Sequence, residues 1–278
     1  MIYTKIFKRI LRRLVFKFIF RNLYIYELGI FIARYTNFLL PHEEDIYGIN
    51  FLNLEKKREI IDVGASDGLY FRSVKFIGVN DKFVCIEALK RNKKYLTEIK
   101  KKNKTFKFYI NAAGDKNKSI TIYTPFYKNR LLYNLSSYSK NECIANIKLR
   151  KFNINLSKLD FVKNKIQQKK IDHFKFKPTL LKIDVEGYEN KVLLGALNTI
   201  NKYRPIIYVE NNLNLKKFNT INFFKKKLLK YGYKPYIFNL EKKSFFKYNK
   251  QNIRRRFFSY NVYFLIKKHF LNTVDYSH

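Results

Sequence analysis

The chain has 278 residues, 46% of them hydrophobic, enough to bury one large core or a core with an appendage. Two cysteines, Cys85 and Cys143, stand without a CxxC pair, and the four histidines are scattered; this excludes a disulfide framework and a Cys/His metal cluster, and it fits a reducing compartment. The formal charge of +37 raises nucleic acid or anionic lipid as partners, yet the Lys is spread along the chain, which fits compositional bias better than a dedicated polyanion surface.

Residues 1–45 read as a basic, amphipathic helical extension. At 100° per residue over 4–15, Ile6, Phe7, Ile10, Leu11, Leu14 and Val15 share one face, and Lys5, Lys8, Arg9, Arg12 and Arg13 share the other. Such a segment suits either peripheral association with an anionic membrane, at the inner face if the protein is cytoplasmic, or packing of the apolar stripe on the main domain with Lys and Arg solvated outside. Lys17, Arg21, Glu27 and Arg34 interrupt the apolar character, so no run of ~20 uncharged residues is available for a spanning helix. A signal peptide is a poor fit for the same reason.

From about residue 46 to 270 short apolar runs alternate with helical periodicity, which predicts βαβ units and a mostly parallel sheet of seven strands. Strands are expected at about 59–63, 83–87, 106–110, 180–184, 206–210, 233–239 and 259–266, with an extra one near 120–123. Helices are expected at about 68–77, up to Lys102, over 188–201 and over 215–230. The Asn-, Ser- and Lys-rich stretch 125–170 reads as an irregular insertion, long enough to serve as a lid.

The chemistry gathers at strand ends. Glu59-Ile60-Ile61-Asp62-Val63 runs into Gly64-Ala65-Ser66-Asp67-Gly68, an apolar strand that turns through two glycines into a helix. In an open α/β sheet, ligands settle at the carboxyl ends of strands where strand order reverses. Glycines there allow close backbone approach, and the helix N-terminus offers free N–H groups. Glu87 ends the second strand 25 residues after Asp62, where a carboxylate can grip both hydroxyls of a ribose. Asp184 ends the fourth expected strand, and Asp115 lies in the turn after the third.

These segments resemble the FkbM-type methyltransferases of the S-adenosylmethionine-dependent class. Ile61–Gly68 resembles that family's cofactor loop, Cys85-Ile86-Glu87-Ala88 its second motif, and Asn111-Ala112-Ala113-Gly114-Asp115 its turn after strand three. Leu181-Lys182-Ile183-Asp184-Val185-Glu186-Gly187-Tyr188-Glu189 with Val192-Leu193 and Gly195-Ala196 is similar to the family hallmark, and Glu210 and Asn261–Phe264 fit as well. The resemblance implies a Rossmann-like class I methyltransferase fold, S-adenosyl-L-methionine as cofactor, and O-methylation of a sugar, glycan or small hydroxylated metabolite. It also implies that Asp62, Gly64, Ser66 and Gly68 hold the methionine part and Glu87 the ribose. Asn111, Ala112 and Asp115 would border the adenine, and Asp184 and Glu186 would face the methyl group and acceptor. No metal is implied. Ser66 stands where the family usually has Asn, and Ala88 where it has Pro. Glu189 is expected as a solvated acid in a first helical turn, suited to the helix dipole.

Three rivals are weaker. Ser66, Asp184 and His269 keep a hydrolase order inside G-x-S-x-G, but a nucleophile elbow normally follows several strands, and only helical sequence precedes this one. Among nucleic-acid methyltransferases of this fold, those that modify a base amine usually carry an NPPY-like motif where Asp184-Val185-Glu186-Gly187 stands, and acids at that edge repel phosphates. A non-catalytic polyanion-binding module leaves the acids unexplained.

Overall fold

The computed structural model describes residues 44–55, 58–149, 152–210, 220–249 and 261–271. The expected basic helix over 4–15 lies outside them, and so does the start of the helix expected from 215. The chain divides into two units, one of which contains 122–164 and the other 38–121 and 165–278.

In the larger unit a 3-10 helix, Glu44–Phe51, precedes β1 (Glu59–Val63), α1 (Leu69–Phe76), β2 (Lys82–Glu87), α2 (Lys93–Lys102), β3 (Phe106–Ile110) and the two-residue β4 (Ala112–Ala113). β5 (Lys118–Tyr127), β6 (Arg130–Leu131), α3 (Lys140–Leu149) and β7 (Asp160–Lys169) follow. The chain then continues through β8 (Pro178–Ile183), α4 (Glu189–Leu194), α5 (Leu197–Tyr203), β9 (Ile206–Glu210), α6 (Thr220–Leu228), β10 (Lys234–Asn239), β11 (Ser244–Lys247) and β12 (Asn261–Leu265).

The main sheet runs β11-β10-β12-β9-β8-β1-β2-β3. The four pairings from β9 to β3 are parallel and the three from β11 to β9 are antiparallel. The sheet is therefore mixed and eight-stranded, which corrects the expected seven. The added strand is β11, only four residues long and joined to β10 by a turn in which Lys243 takes a left-handed conformation. A strand that short leaves little periodicity to read.

Side-chain parity explains why the central strands read as unbroken apolar runs: both faces are covered. Ile61, Val63, Val84, Ile86, Leu181, Ile183, Ile207 and Val209 pack with Val192, Leu193 and Ile200 of α4 and α5 and with Ile221, Phe224 and Leu228 of α6. Ile60, Phe83, Cys85, Leu180, Ile206 and Tyr208 pack on the other face with Tyr70, Phe71 and Val74 of α1, Leu96 and Ile99 of α2, and Ile46 and Ile49 of the 3-10 helix. That helix is pinned by buried Asp45, which accepts hydrogen bonds from Tyr208 Oη at 2.8 Å and Asn261 Nδ2 at 3.1 Å.

The helix expected over 188–201 is two helices, broken at Gly195 and Ala196. A Cβ on Gly195 would lie 1.9 Å from the Gly114 carbonyl oxygen, so the break seats the chain against the Asn111–Asp115 turn. The stretch 125–170, expected as irregular, contains β6, α3 and β7. In the smaller unit Tyr127, Leu132, Leu135, Ile147 and Phe152 form a core of their own. Its apolar residues are too widely spaced among Asn, Ser and Lys to show a period, so they find partners only in three dimensions. Among the described residues no helix is long and apolar enough to cross a membrane.

Candidate functional site

Register brings the expected residues to one edge of the larger unit's sheet. Val63 pairs with both Ile86 and Ile183, Ile183 pairs with Val209, and Glu87 pairs with Ile110. Gly64, Glu87, Asn111, Asp184 and Glu210 therefore all stand at or just beyond the carboxyl ends of adjacent parallel strands. The chain winds outward from β1 through β2 to β3, then returns to place β8 on the other side of β1. Strand order thus reverses between Gly64 and Asp184, the place where open α/β sheets hold ligands.

The loop after β1 is locked by backbone bonds. Gly64 N and Ala65 N donate to Ile86 O at 2.9 and 3.2 Å, and Asp184 N donates to Val63 O at 3.0 Å. Gly64 has φ 86°, and a Cβ there would lie 1.7 Å from the Asp184 carbonyl oxygen, so only glycine lets the two strand ends meet. Ser66 is left-handed at φ 49°, a conformation that Asn tolerates better than Ser. Its N–H donates to Glu87 Oε2 at 2.7 Å, and Leu89 N donates to Glu87 Oε1 at 2.7 Å. Glu87 thereby ties the loop to the end of β2. Burial lifts its carboxyl above the ordinary value, against the pull of the Leu89 and Ser66 N–H groups. Gly68, also left-handed, opens α1.

Asp62 is fully buried. Lys182 Nζ lies 3.2 Å from its Oδ1, an ion pair without the alignment of a hydrogen bond, and Oδ2 accepts no hydrogen bond. Burial raises the Asp62 carboxyl, the charge of Lys182 draws it back, and Asp184 adds to the rise. Lys182, itself buried, also donates to Asp184 Oδ2 at 3.0 Å and sits 5.1 Å over the Tyr70 ring.

Asp184 belongs to a group of acids around the β8 and β9 ends. Burial, then the charges of Asp184, Glu186 and Glu189, push the Glu210 carboxyl well above the ordinary range, and its hydrogen bond with Asp184 adds to the rise. Glu186 is left-handed at φ 53° and is followed by Gly187 at φ 101°. Glu189, expected as a solvated acid, is instead buried. Its Oε1 accepts from Val185 N at 3.2 Å and Gly187 N at 3.0 Å, closing the turn that displays Glu186. Burial lifts its carboxyl to about 7, with the backbone N–H groups opposing and Asp184 reinforcing. The turn folds the side chain back over its own backbone, which a helical-wheel argument cannot show.

The Asn111–Asp115 turn packs on the α4 break. Asn111 Nδ2 donates to Gln167 O at 3.4 Å, and Ala112 pairs with Gln168 in a short parallel bridge. Asp115 Oδ2 takes a 2.9 Å ion pair from Lys191; burial alone would raise its carboxyl, and Lys191 brings it below the ordinary value. His269, the third member of the hydrolase set, is buried in a structural role. Its Nδ1 accepts from Ile266 N at 3.1 Å, which leaves Nε2–H to donate to Arg204 O at 2.7 Å. Both ring nitrogens are thus engaged far along the chain from the loop. Lys182 and Glu210 were not among the expected site residues. The signal for Lys182 was a charge inside an otherwise apolar strand, since a buried charge demands partners. Among the described residues no group of three or more His, Cys, Asp or Glu is arranged to hold a metal ion.

The family model for the methyltransferase FkbM domain matches residues 62–235. Among solved structures, methyltransferase FkbM from Methylobacillus flagellatus KT aligns at 14% identity and TM-score 0.48, over 79% of this chain and 48% of its own, so this chain spans about half its length. A precorrin-6y C5,15-methyltransferase from Geobacter metallireducens GS-15 aligns at 10% identity and TM-score 0.34, over 78% of this chain and 82% of its own. Curated proteins give no match.

Proposed function

The chain belongs to the FkbM methyltransferase family, and from that premise we propose that it moves a methyl group from S-adenosyl-L-methionine to a hydroxyl of a sugar, glycan or small hydroxylated metabolite. The observation that carries the reading is the convergence, at one strand-order reversal, of a glycine loop, a ribose-type acid and a cluster of further acids.

The residues present fit that cofactor. Asp62 offers a fully buried oxygen, Oδ2, that accepts no hydrogen bond within the protein. A buried carboxylate oxygen left so is costly unless a ligand donor meets it. Asp62, Gly64, Ser66 and Gly68 would hold the methionine part, Glu87 the ribose, and Asn111, Ala112 and Asp115 the adenine border. Glu87 accepts one backbone N–H at each oxygen and a further hydrogen bond from the Asn92 side chain, which leaves acceptor capacity for one ribose hydroxyl. When bound, the cofactor supplies an electrophilic methyl group on a sulfonium.

The protein's part is to position and to receive a proton. Asp184, held by Lys182 and hydrogen-bonded to Glu210, stands ready to accept a hydrogen bond from an attacking hydroxyl. Glu186, displayed by the turn that Glu189 closes, is the second candidate for that proton. Alignment of the hydroxyl with the methyl group would account for much of the rate. The concentration of acids at this edge favours a neutral, hydroxylated acceptor over a phosphate-rich one.

The same reading keeps the protein cytoplasmic, with residues 4–15 resting on an anionic leaflet; support comes from their segregated apolar and basic residues. A methyl-transfer screen with labelled cofactor against nucleotide sugars, oligosaccharides and RNA tests the reaction. Transfer to a saccharide or small polyol is expected, and transfer to RNA alone would overturn the assignment.

A further inference from the structure

Lys182 is a buried cation with two buried or half-buried anions on it. Its Nζ lies 3.2 Å from Asp62 Oδ1 and 3.0 Å from Asp184 Oδ2. Asp62 is fully buried and Lys182 nearly so, while Asp184 keeps about a third of its side chain exposed. Parity makes the arrangement: Lys182 pairs with Asp62 across β1 and β8, so both side chains emerge on the α1 face, beside the Tyr70 ring. Asp184 lies two residues on, past the end of β8, at the open edge of the sheet.

One ammonium between two carboxylates leaves one net negative charge. That charge is divided between a deep oxygen, Asp62 Oδ2, which accepts no hydrogen bond, and the more accessible carboxylate of Asp184. We propose that Lys182 is a positioning residue: it holds Asp62 and Asp184 charged and at a fixed separation, so that the pair presents a single negative charge to a cationic ligand. The inference rests on the proposed cofactor, whose sulfonium and ammonium are the cations such a pair would meet.

The electrostatics demand the ammonium. Cys85 and Glu87 face the same spot from β2, Lys182 and Asp184 from β8, and Tyr70 and Arg72 from α1; Tyr208 of β9 pairs with Lys182, and Glu186, Glu189 and Glu210 stand around Asp184 on its open side. Of these, Cys85 stays a thiol, because burial first and the Asp62 charge second push it well above its ordinary value. Arg72 is already paired with Asp67, at 3.2 Å. Lys182 is therefore the cation placed to compensate Asp62. Without it, a fully buried carboxylate takes up a proton rather than remain uncompensated.

The test uses Lys182→Met, Lys182→Arg and Asp62→Asn/Lys182→Met in the full chain, with two readouts. The first is the urea midpoint across about pH 5 to about pH 8.5, where a buried acid whose pKa rises loses stability as pH rises. Lys182→Met should fall progressively further below wild type as pH increases. Lys182→Arg should restore the wild-type profile, and the Asp62→Asn double variant should lose the slope. The second is calorimetry with S-adenosylmethionine: relative to wild type, Lys182→Met should bind about tenfold or more weakly near pH 6 and recover toward pH 8.5. A deficit of equal size at every pH in both readouts would make Lys182 a packing residue and overturn the proposal. If Lys182→Met alone fails to fold, Asp62→Asn should rescue it, and continued failure of the double variant overturns the proposal as well. If wild type binds no S-adenosylmethionine, the cofactor reading falls by itself, and the stability series still decides the role of Lys182.

Discussion

Glu189 offers a stability experiment whose sign is set by the structure. Its carboxyl is buried and lifted to about 7 from an ordinary 4.5. A raised acid contributes stability in its protonated form, fully present below its unfolded value and lost as pH climbs through its folded value. Between those limits the unfolded chain has released a proton that the folded one still holds. The difference of about 2.5 units corresponds to about 3 kcal/mol of penalty on the ionised folded form once pH exceeds about 8. Glu189→Gln removes the charge and keeps a carbonyl oxygen for the Val185 and Gly187 N–H groups. The variant should match wild type near pH 4.5 and exceed it by up to about 3 kcal/mol near pH 8.5, read as urea midpoint times m-value. A variant less stable than wild type at high pH, or offset equally at both values, would refute the burial argument.

Two other expectations are independent of any ligand. His269, buried and engaged at both nitrogens, has its ring pulled down to about 4 by burial. The unfolded chain therefore binds a proton first as pH falls below about 6.5, and wild type should lose about 3 kcal/mol between there and about pH 4. A ring that titrates near 6.5 by NMR in the folded protein would contradict this. Gly64→Ala should cost about 3 kcal/mol or more, since it strains φ 86° and drives a Cβ into the Asp184 carbonyl. A near-neutral denaturation midpoint would show that the β1 and β8 ends do not meet as described.

Much of the edge could be read from residues alone, because strand ends with acids and glycines leave a local signature. Asp62, Glu87 and Asp184 were placed on one edge by counting apolar runs, and parallel register confirms that placement. What escaped was settled by non-local geometry. Glu189 looked solvated because a first helical turn usually is; the left-handed Glu186 and Gly187 turn its carboxylate inward. Lys182 disappeared into a strand whose six residues are all buried. Its partners are visible only once β1 and β8 are laid side by side. The break at Gly195 was hidden by continuous helical periodicity, since its cause, the Gly114 carbonyl, lies 81 residues away in the chain.

Cofactor binding is the most direct test of the proposed function. Titration calorimetry of the full chain with S-adenosylmethionine should show one site per chain, with Asp62→Asn and Glu87→Gln each weakening it by about tenfold or more while circular dichroism stays unchanged. An absence of binding by the wild type, or affinity indifferent to both substitutions, would contradict a cofactor site at the reversal between β1 and β8.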